Sequence, residues 1–497
     1  MKSFYTNIFQ RGNTIYLRGF EDGERIQKKY KYEPYLFVPD KKMSNRAIYY
    51  DIHGAPMKQV NFDSINEAKD FVKSYAEVDG MQICGYDRWQ YMFLYDNFKD
   101  MDYDSSMLNI VGLDIEVESD DGFPEPDSAS KEITAITLRR GDMKIAIGCG
   151  DFSCDDKNVY YMKCDNEIHL LRKFLQVWEN LDVDVLTGWN TEFFDIPYIV
   201  NRINQLLGEE HSSRLSPWGL LREYSITLGT KEQRSYDILG ISCLDYLAVY
   251  KKFQLAPRES YRLDNIAEVE LGEKKIDYSE YGNLYTLHKE NYQKFIEYNI
   301  RDVDLIFMLE EKLGFLDQLF ALTYDSRVNF SEGLSSLVIW DTIIHNYLLD
   351  KNIVVPTARP HISSDHTIAG GFVKEPVPGM YEWVMSFDLN SLYPHLIMQY
   401  NISPDTKLYH VNDDLLECRM SANVDSLLDR KMNNNALIDS DCTMTPNGQF
   451  YKKNFEGFLP ALMKKMYNGR VEYKRRMIEG KKELEEIDDE LRKRGVL

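Results

Sequence analysis

Residues 110–117 read Ile-Val-Gly-Leu-Asp-Ile-Glu-Val, and their alternation decides the architecture. A β-strand points successive side chains to opposite faces, so Val111, Leu113, Ile115 and Val117 share one face while Gly112, Asp114 and Glu116 share the other. Two carboxylates then point the same way from an otherwise apolar strand. Like charges held together there are costly unless a cation compensates them, which makes a divalent metal a natural partner. The triplet alone is uninformative, because Asp22-Gly-Glu24, Asp165-Asn-Glu167 and Asp488-Asp-Glu490 repeat it in polar surroundings where solvation suffices. By itself this strand leaves open both a metal site and a solvated pair.

Outward from it, residues 106–314 alternate strands (ITAITLRR, MKIAIGCG, VDVLTGWN) with helices expected at 166–180, 197–207 and 291–314, an α/β layer arrangement. Residues 1–105 alternate short β-like runs with turns and offer a helix at 64–78, an α+β domain without a chemical motif. From 315 a helix leads into a connector rich in Pro, Ser and Gly, and EWVMSFDL (382–389) is expected to open a new unit as a strand. The last 40 residues predict a charged helical segment interrupted by Gly469 and Gly480. Taken together, the chain reads as α/β and α+β multidomain.

The net charge of −21 argues at first against nucleic acid, but its distribution matters more. Between Lys452 and Lys482 stand ten basic residues against three acidic ones, so positive charge gathers near the C-terminus. Seven scattered cysteines lack the paired spacing of a zinc site and read as free thiols; Cys149, Cys154 and Cys164 with His169 fit no common finger. No long apolar run and no signal-peptide core occur, so the expectation is a cytoplasmic protein without a membrane partner.

Two further segments carry acidic residues. In VLTGWNTEFFDIPYIVNR (185–202) a strand turns into a helix with Pro197 in its first turn; Asp195 there reads equally as a helix cap. In YNIRDVDLIF (298–307), Tyr298 and Asp302 lie four apart on one helix face, which an ordinary solvated face also explains.

Asp-Ile-Glu, then Asn190-x-x-x-Phe-Asp195, then Tyr298-x-x-x-Asp302, in that order over about two hundred residues, resemble the three exonuclease motifs of the family B DNA polymerases. The resemblance implies a ribonuclease-H-like 3′→5′ exonuclease. Asp114, Glu116, Asp195 and Asp302 would hold two divalent ions (Mg2+, with Mn2+ as the alternative), and Tyr298 would orient the attacking water. Phe193 and Phe194 are candidates for stacking on frayed DNA bases, with core packing the competing role for one of them. Segment 222–238 is a candidate strand-separating hairpin.

EWVMSFDLNSLYPHLIMQYNISPDT (382–406) resembles polymerase motif A of the same family. The resemblance makes Asp388 a metal-binding aspartate at a strand end, with Leu389, Ser391, Leu392 and Tyr393 forming the turn and helix start that meet the nucleotide. Tyr393 would pack beneath the incoming sugar. Arg470 and Lys474, four apart on a helix, would face one triphosphate. Gly370 and Gly371 would let the backbone approach a DNA phosphate. DGFPEP (121–126), ISCLDYLAVYKKF (241–253), SYRLDNIAEVEL (260–271) and NISPDT (401–406) narrow the kinship to replicative polymerases of T-even-type bacteriophages and their relatives.

Such kinship implies a set of domains: an N-terminal domain (1–105, with 315–360 packing back on it), an exonuclease (106–314), a partial palm (361–457) and the first part of the fingers (458–497). The chain lacks an Asp-Thr-Asp segment and the Lys-x-x-x-Asn-Ser-x-Tyr-Gly segment of the returning fingers helix, so it is not expected to polymerise alone. Expected partners are primer–template DNA, single-stranded 3′ ends, deoxynucleoside triphosphates and a second polypeptide carrying the rest, through which alone a sliding clamp would act. The alternatives are a free-standing single-strand exonuclease and a non-catalytic nucleic-acid-binding regulatory remnant.

Overall fold

A computed structural model describes residues 2–41, 48–76, 78, 80–99, 101–119, 122, 124–228, 231–357, 375–422, 426, 429–431 and 435–495. They divide into two compact units, Met1–Pro39 with Lys58–Lys351, and Asp40–Met57 with Asn352–Leu497.

In the first unit β1 (Phe4–Arg11), β2 (Thr14–Glu21) and β3 (Glu24–Lys31) form an antiparallel sheet. Helix α1 (Ile65–Tyr75) follows, capped by Ser64, whose hydroxyl accepts from the Glu67 N–H. The central sheet contains β4 (Ile110–Val117), β5 (Ile133–Arg140), β6 (Met143–Gly148), β7 (Val159–Lys163), β8 (Val185–Gly188) and, after the hairpin β9 (Leu221–Leu228) and β10 (Lys231–Ile238), β11 (Ser242–Asp245). Its order is β7-β6-β5-β4-β8-β11. β4, β5 and β6 pair antiparallel, while β8 and β11 continue parallel to β4. Apart from edge strand β7, that is the strand order of the ribonuclease-H-like fold.

Helices α2 (Glu167–Leu181), α3 (Asp195–Leu206), α4 (Tyr246–Phe253), α5 (Tyr292–Leu313) and α6 (Phe315–Ser326) cover the sheet and its ends. The apolar face of β4 behaves as its alternation requires: Val111, Leu113 and Ile115 enter one core with Leu171, Phe174 and Leu175 of α2 and Ile196, Ile199 and Ile203 of α3. The N-terminal sheet is fastened beneath this layer. Buried Arg18 donates to the Val183 and Gly240 carbonyls at 2.7 Å each, and Arg25 donates to Asp184 at 2.9 and 2.6 Å. Tyr5 donates to the Val328 carbonyl at 2.8 Å and Tyr324 of α6 to the Tyr5 carbonyl at 2.9 Å.

In the second unit α7 (Leu392–Tyr400) packs on α8 (Phe458–Lys493). Asn401, at φ +54, ends α7 and ties the unit together: its amide donates to the Lys452 and Phe455 carbonyls and its Oδ1 accepts from the Gly457 N–H. Two expectations are corrected here. Residues 382–389 form no strand, because a strand exists only as a member of a hydrogen-bonded ladder, and among the described residues no neighbour pairs with them. Their side chains stand in solvent, with Trp383 95% and Phe387 86% exposed. Nor do Gly469 and Gly480 interrupt α8, which is continuous. Each glycine costs a helix only about 1 kcal/mol, and the ion pairs Arg475–Glu479 and Arg476–Glu472 brace the helix between them. Among the described residues no helix is long and apolar enough to cross a membrane.

Candidate active site

β4, β8 and β11 run parallel, and the polar residues gather at their carboxyl ends. β8 pairs with β4 only as far as Thr187 opposite Gly112, so Asp114 and Glu116 lie beyond the pairing. The β8–β11 ladder closes with Gly188 opposite Asp245. Open α/β sheets place their ligands in this kind of crevice.

Two glycines let the other carboxylates arrive. A Cβ at Gly112 would stand 2.6 Å from Phe307 and 2.9 Å from Val303. Only glycine therefore lets α5 lie so close to β4, and that approach brings Asn299 and Asp302 to Asp114. A Cβ at Gly188 would stand 2.1 Å from the Thr191 hydroxyl and 2.6 Å from the Leu113 carbonyl. The chain therefore turns at once from β8 through Asn190, at φ +63, into α3. Asp195 is the first residue of that helix rather than its cap, a position held by Phe194. Buried, it accepts the Ile115 N–H at 3.0 Å, between the two acids of β4.

Carboxylate oxygens of Asp114, Glu116 and Asp302 lie within 4.8 Å of one another, and Asp195 sits outside this trio. Three of the four acids have one oxygen engaged by protein. Asp114 Oδ2 accepts from Asn299 Nδ2 at 2.6 Å, and Asn299 Oδ1 accepts in turn from the Thr137 hydroxyl at 2.5 Å. Asp302 Oδ2 accepts from Lys275 Nζ at 2.5 Å, which also donates to the Tyr298 hydroxyl at 3.0 Å. Asp302 Oδ1 is buried and has no partner among the described residues.

Electrostatics reflect this crowding. Burial, reinforced by the charges of Asp302, Glu116 and Asp195, holds Asp114 well above the carboxylate range. Burial is also the first cause of the raised Glu116, Asp195 and Asp302, with Lys275 pulling Asp302 back down. Lys275 itself would be lowered by burial, yet Asp302, Tyr298 and Asp114 raise it. The site is short of positive charge. A cluster of oxygen donors with one buried oxygen left over fits a divalent cation.

Lys275, Asn299, Thr137 and Asp245 escaped the sequence reading. Asn299 left a readable signal, a polar residue within the apolar stripe of Ile296 and Val303 on α5. Lys275 stands in the charged run Glu-Lys-Lys (273–275) and left none.

The other expected residues are placed as follows. Phe194 packs against Tyr198 at the edge of the core, centroids 5.7 Å apart. Phe193 instead lines a pocket of about 410 Å³ with Pro124, Pro126, Gln233 and Arg234. The hairpin anticipated at 222–238 is present as β9–β10. In the second unit Arg470 donates to the Ser391 hydroxyl at 2.7 Å, joining α8 to the turn before α7, while Lys474 is exposed. Asp388, Leu389, Leu392 and Tyr393 are exposed, so Tyr393 is not a core aromatic. Gly370 and Gly371 lie outside the described residues. The seven cysteines are free, and among the described residues none joins a metal-ligating group.

Acidic residues thus converge at the carboxyl ends of a ribonuclease-H-like sheet. Comparison with known proteins gives this arrangement a family. Residues 92–266 match the exonuclease domain of DNA polymerase family B, and residues 330–490 match DNA polymerase family B. The DNA-directed DNA polymerase of Escherichia phage RB69 is 32% identical over 99% of this chain and 56% of its own length. That of Enterobacteria phage T4 is 31% identical over 96% of this chain and 54% of its own. The DNA polymerase delta catalytic subunit of Schizosaccharomyces pombe is 27% identical over 74% of this chain and 34% of its own. The chain belongs to the family B DNA polymerases and spans about half the length of these phage relatives.

Proposed function

We propose that this chain is the N-terminal part of a DNA-directed DNA polymerase and that its first unit is a 3′→5′ exonuclease acting on single-stranded DNA ends. The observation that carries this reading is the trio Asp114, Glu116 and Asp302, whose carboxylate oxygens come within 4.8 Å of one another, with Asp302 Oδ1 buried and without a hydrogen-bond partner among the described residues. Asp114, Glu116, Asp195 and Asp302 would hold two divalent ions, Mg2+ by chemical fit. When bound, these ions supply Lewis-acid activation and charge neutralisation for phosphodiester hydrolysis.

The chain's own groups do the rest. Because the Tyr298 hydroxyl accepts from Lys275, it keeps its own proton to donate, which suits it to orient the attacking water. Lys275, with two of its three donors on Asp302 and Tyr298, would offer the third to the reacting phosphate. Phe193, which lines a pocket, would stack on an unpaired base, and the β9–β10 hairpin would part the strands.

In the second unit Asp388 is one of two carboxylates that nucleotide addition needs. Ser391, Leu392 and Tyr393 with Leu389 would meet the nucleotide, and Arg470 and Lys474 its triphosphate. The Arg470–Ser391 hydrogen bond supports that grouping. The corresponding domain division is residues 1–105 with 315–360, exonuclease 106–314, partial palm 361–457 and first part of the fingers 458–497. Nucleotide addition would need the other palm aspartate, the returning fingers helix and a thumb, supplied by a longer chain or by a second polypeptide.

Incubating the purified chain with a mismatched primer–template and Mg2+, with and without nucleotides, tests the reading. Shortening of the primer without extension is expected; extension by this chain alone, or an intact primer, contradicts it.

A further inference from the structure

The loop that delivers Asp195 is held at one residue from three sides. Glu192, three positions before Asp195, donates its backbone N–H to Asp245 Oδ2 at 3.3 Å. Its carboxylate accepts from the Tyr224 hydroxyl of β9 at 2.6 Å. Its backbone carbonyl accepts from the Ser235 hydroxyl of β10, a residue fully buried. Asp245, itself buried at the end of β11, also accepts the Asn190 N–H at 3.0 Å and the Leu247 N–H at 2.9 Å. One carboxylate of the sheet therefore clamps both ends of the turn Asn190–Glu192, and both strands of the hairpin hold the same turn from above.

This connectivity has a mechanical meaning. Asn190 sits at φ +63, a left-handed conformation that asparagine tolerates, and the turn it begins is held by Asp245 and the hairpin. Beyond Glu192 the Phe193 and Phe194 N–H groups donate to the Asn190 carbonyl at 3.2 and 3.1 Å, and Asp195 accepts the Ile115 N–H. A shift of the hairpin reaches Asp195 through the two intervening residues of this tied turn, because Tyr224 and Ser235 move with β9 and β10 while Asp245 stays with the sheet.

We propose that Glu192 is a positioning residue that couples the β9–β10 hairpin to the Asp195 carboxylate, so that the hairpin sets the geometry of the hydrolytic site. This rests on the exonuclease reading given above. Glu192 itself touches no reacting atom. Its role is to keep Asp195 in register with Asp114 and Glu116, and hairpin contacts with DNA would thereby tune hydrolysis at a distance.

The test uses the full chain and a single-stranded oligonucleotide labelled at its 5′ end, with hydrolysis followed across a Mg2+ titration. The Tyr224→Phe, Ser235→Ala double variant removes both hairpin bonds to Glu192 and leaves every proposed metal ligand in place. The expected result is a kcat lower by about 10- to 100-fold, or a Mg2+ requirement raised by a similar factor, the usual range when the support of a metal ligand is removed. KM for the oligonucleotide should change by less than threefold. Glu192→Gln keeps an acceptor for Tyr224 and should recover most of the rate that Glu192→Ala loses. In hydrogen–deuterium exchange the Asn190 and Glu192 amides should exchange faster in the double variant while β4 amides do not. A kcat and Mg2+ requirement within twofold of the parent contradict the coupling, as does a rate loss shared equally by Glu192→Gln and Glu192→Ala. A parent chain that leaves the oligonucleotide intact contradicts the exonuclease reading itself, and is distinguished from failure of the coupling because no variant is then needed to see it.

Discussion

Asn299 Nδ2 lies 2.6 Å from Asp114 Oδ2, and the Asn299 side chain is itself anchored by the Thr137 hydroxyl at 2.5 Å. The chain Thr137–Asn299–Asp114 crosses from β5 through α5 to β4 and fixes which oxygen of Asp114 is left for a cation. Asn299 is wholly buried. Replacing it with Leu leaves Asp114 free to rotate and Thr137 without its acceptor. The expected outcome is an apparent affinity for Mg2+ or Mn2+ reduced about 10- to 100-fold, read by calorimetric titration of the folded variant.

Lys275 supplies the positive charge that Asp302 lacks when no ion is bound. Lys275→Met strands a buried carboxylate, which in comparable sites costs about 3–5 kcal/mol. The variant should melt at lower temperature than the parent without divalent ions, and Mg2+ should raise its melting temperature by more than it raises the parent's. Thermal melts with EDTA and with saturating Mg2+ check this; an equal Mg2+ response in both proteins contradicts it.

Gly112 marks the closest approach of α5 to β4. Gly112→Val forces Phe307 and Val303 away, an overpacking that costs about 1–3 kcal/mol. Because Asp302 rides on the same helix, hydrolysis should fall by more than the stability loss explains. Circular dichroism beside an exonuclease assay separates the two effects.

His345 gives the first unit a pH dependence far from the site. It is buried against Tyr86, ring centroids 4.5 Å apart, and burial lowers its pKa to about 4. Between that value and the ordinary value of about 6.5 the unfolded chain takes up a proton that the folded chain refuses. Its contribution therefore favours folding above pH 6.5 and is lost as pH falls toward 4, by on the order of 3 kcal/mol across the window. Urea denaturation at pH 7 and pH 5 should show a loss in the parent that His345→Phe reduces.

The parts legible in the sequence were those set by short-range rules. Alternation in β4 fixed which side of the strand is apolar, and helix periodicity located α2 and α5 to within a residue or two. Asp114, Glu116 and Asp302 converge as their motif order implied. Illegible were interactions whose partners lie far apart in the chain. Lys275 is one charged residue among many until α5 brings Asp302 beside it, and nothing in segment 185–202 shows that Asp195 accepts the Ile115 N–H. Segment 382–389 failed for a different reason. Its residues favour a strand, but strand formation needs a neighbour, and propensity alone does not provide one.

The central proposal is that Asp114, Glu116, Asp195 and Asp302 form a metal-dependent 3′→5′ exonuclease site. The decisive experiment compares a 5′-labelled single-stranded DNA incubated with the parent chain and with the Asp114→Ala, Glu116→Ala variant, in Mg2+ and in EDTA. Stepwise shortening from the 3′ end is expected from the parent in Mg2+ only, with a loss of at least about a thousandfold in the variant, as when charge stabilisation at the reacting phosphate is removed. Shortening that persists in EDTA, or in a folded variant at the parent's rate, would contradict the assignment.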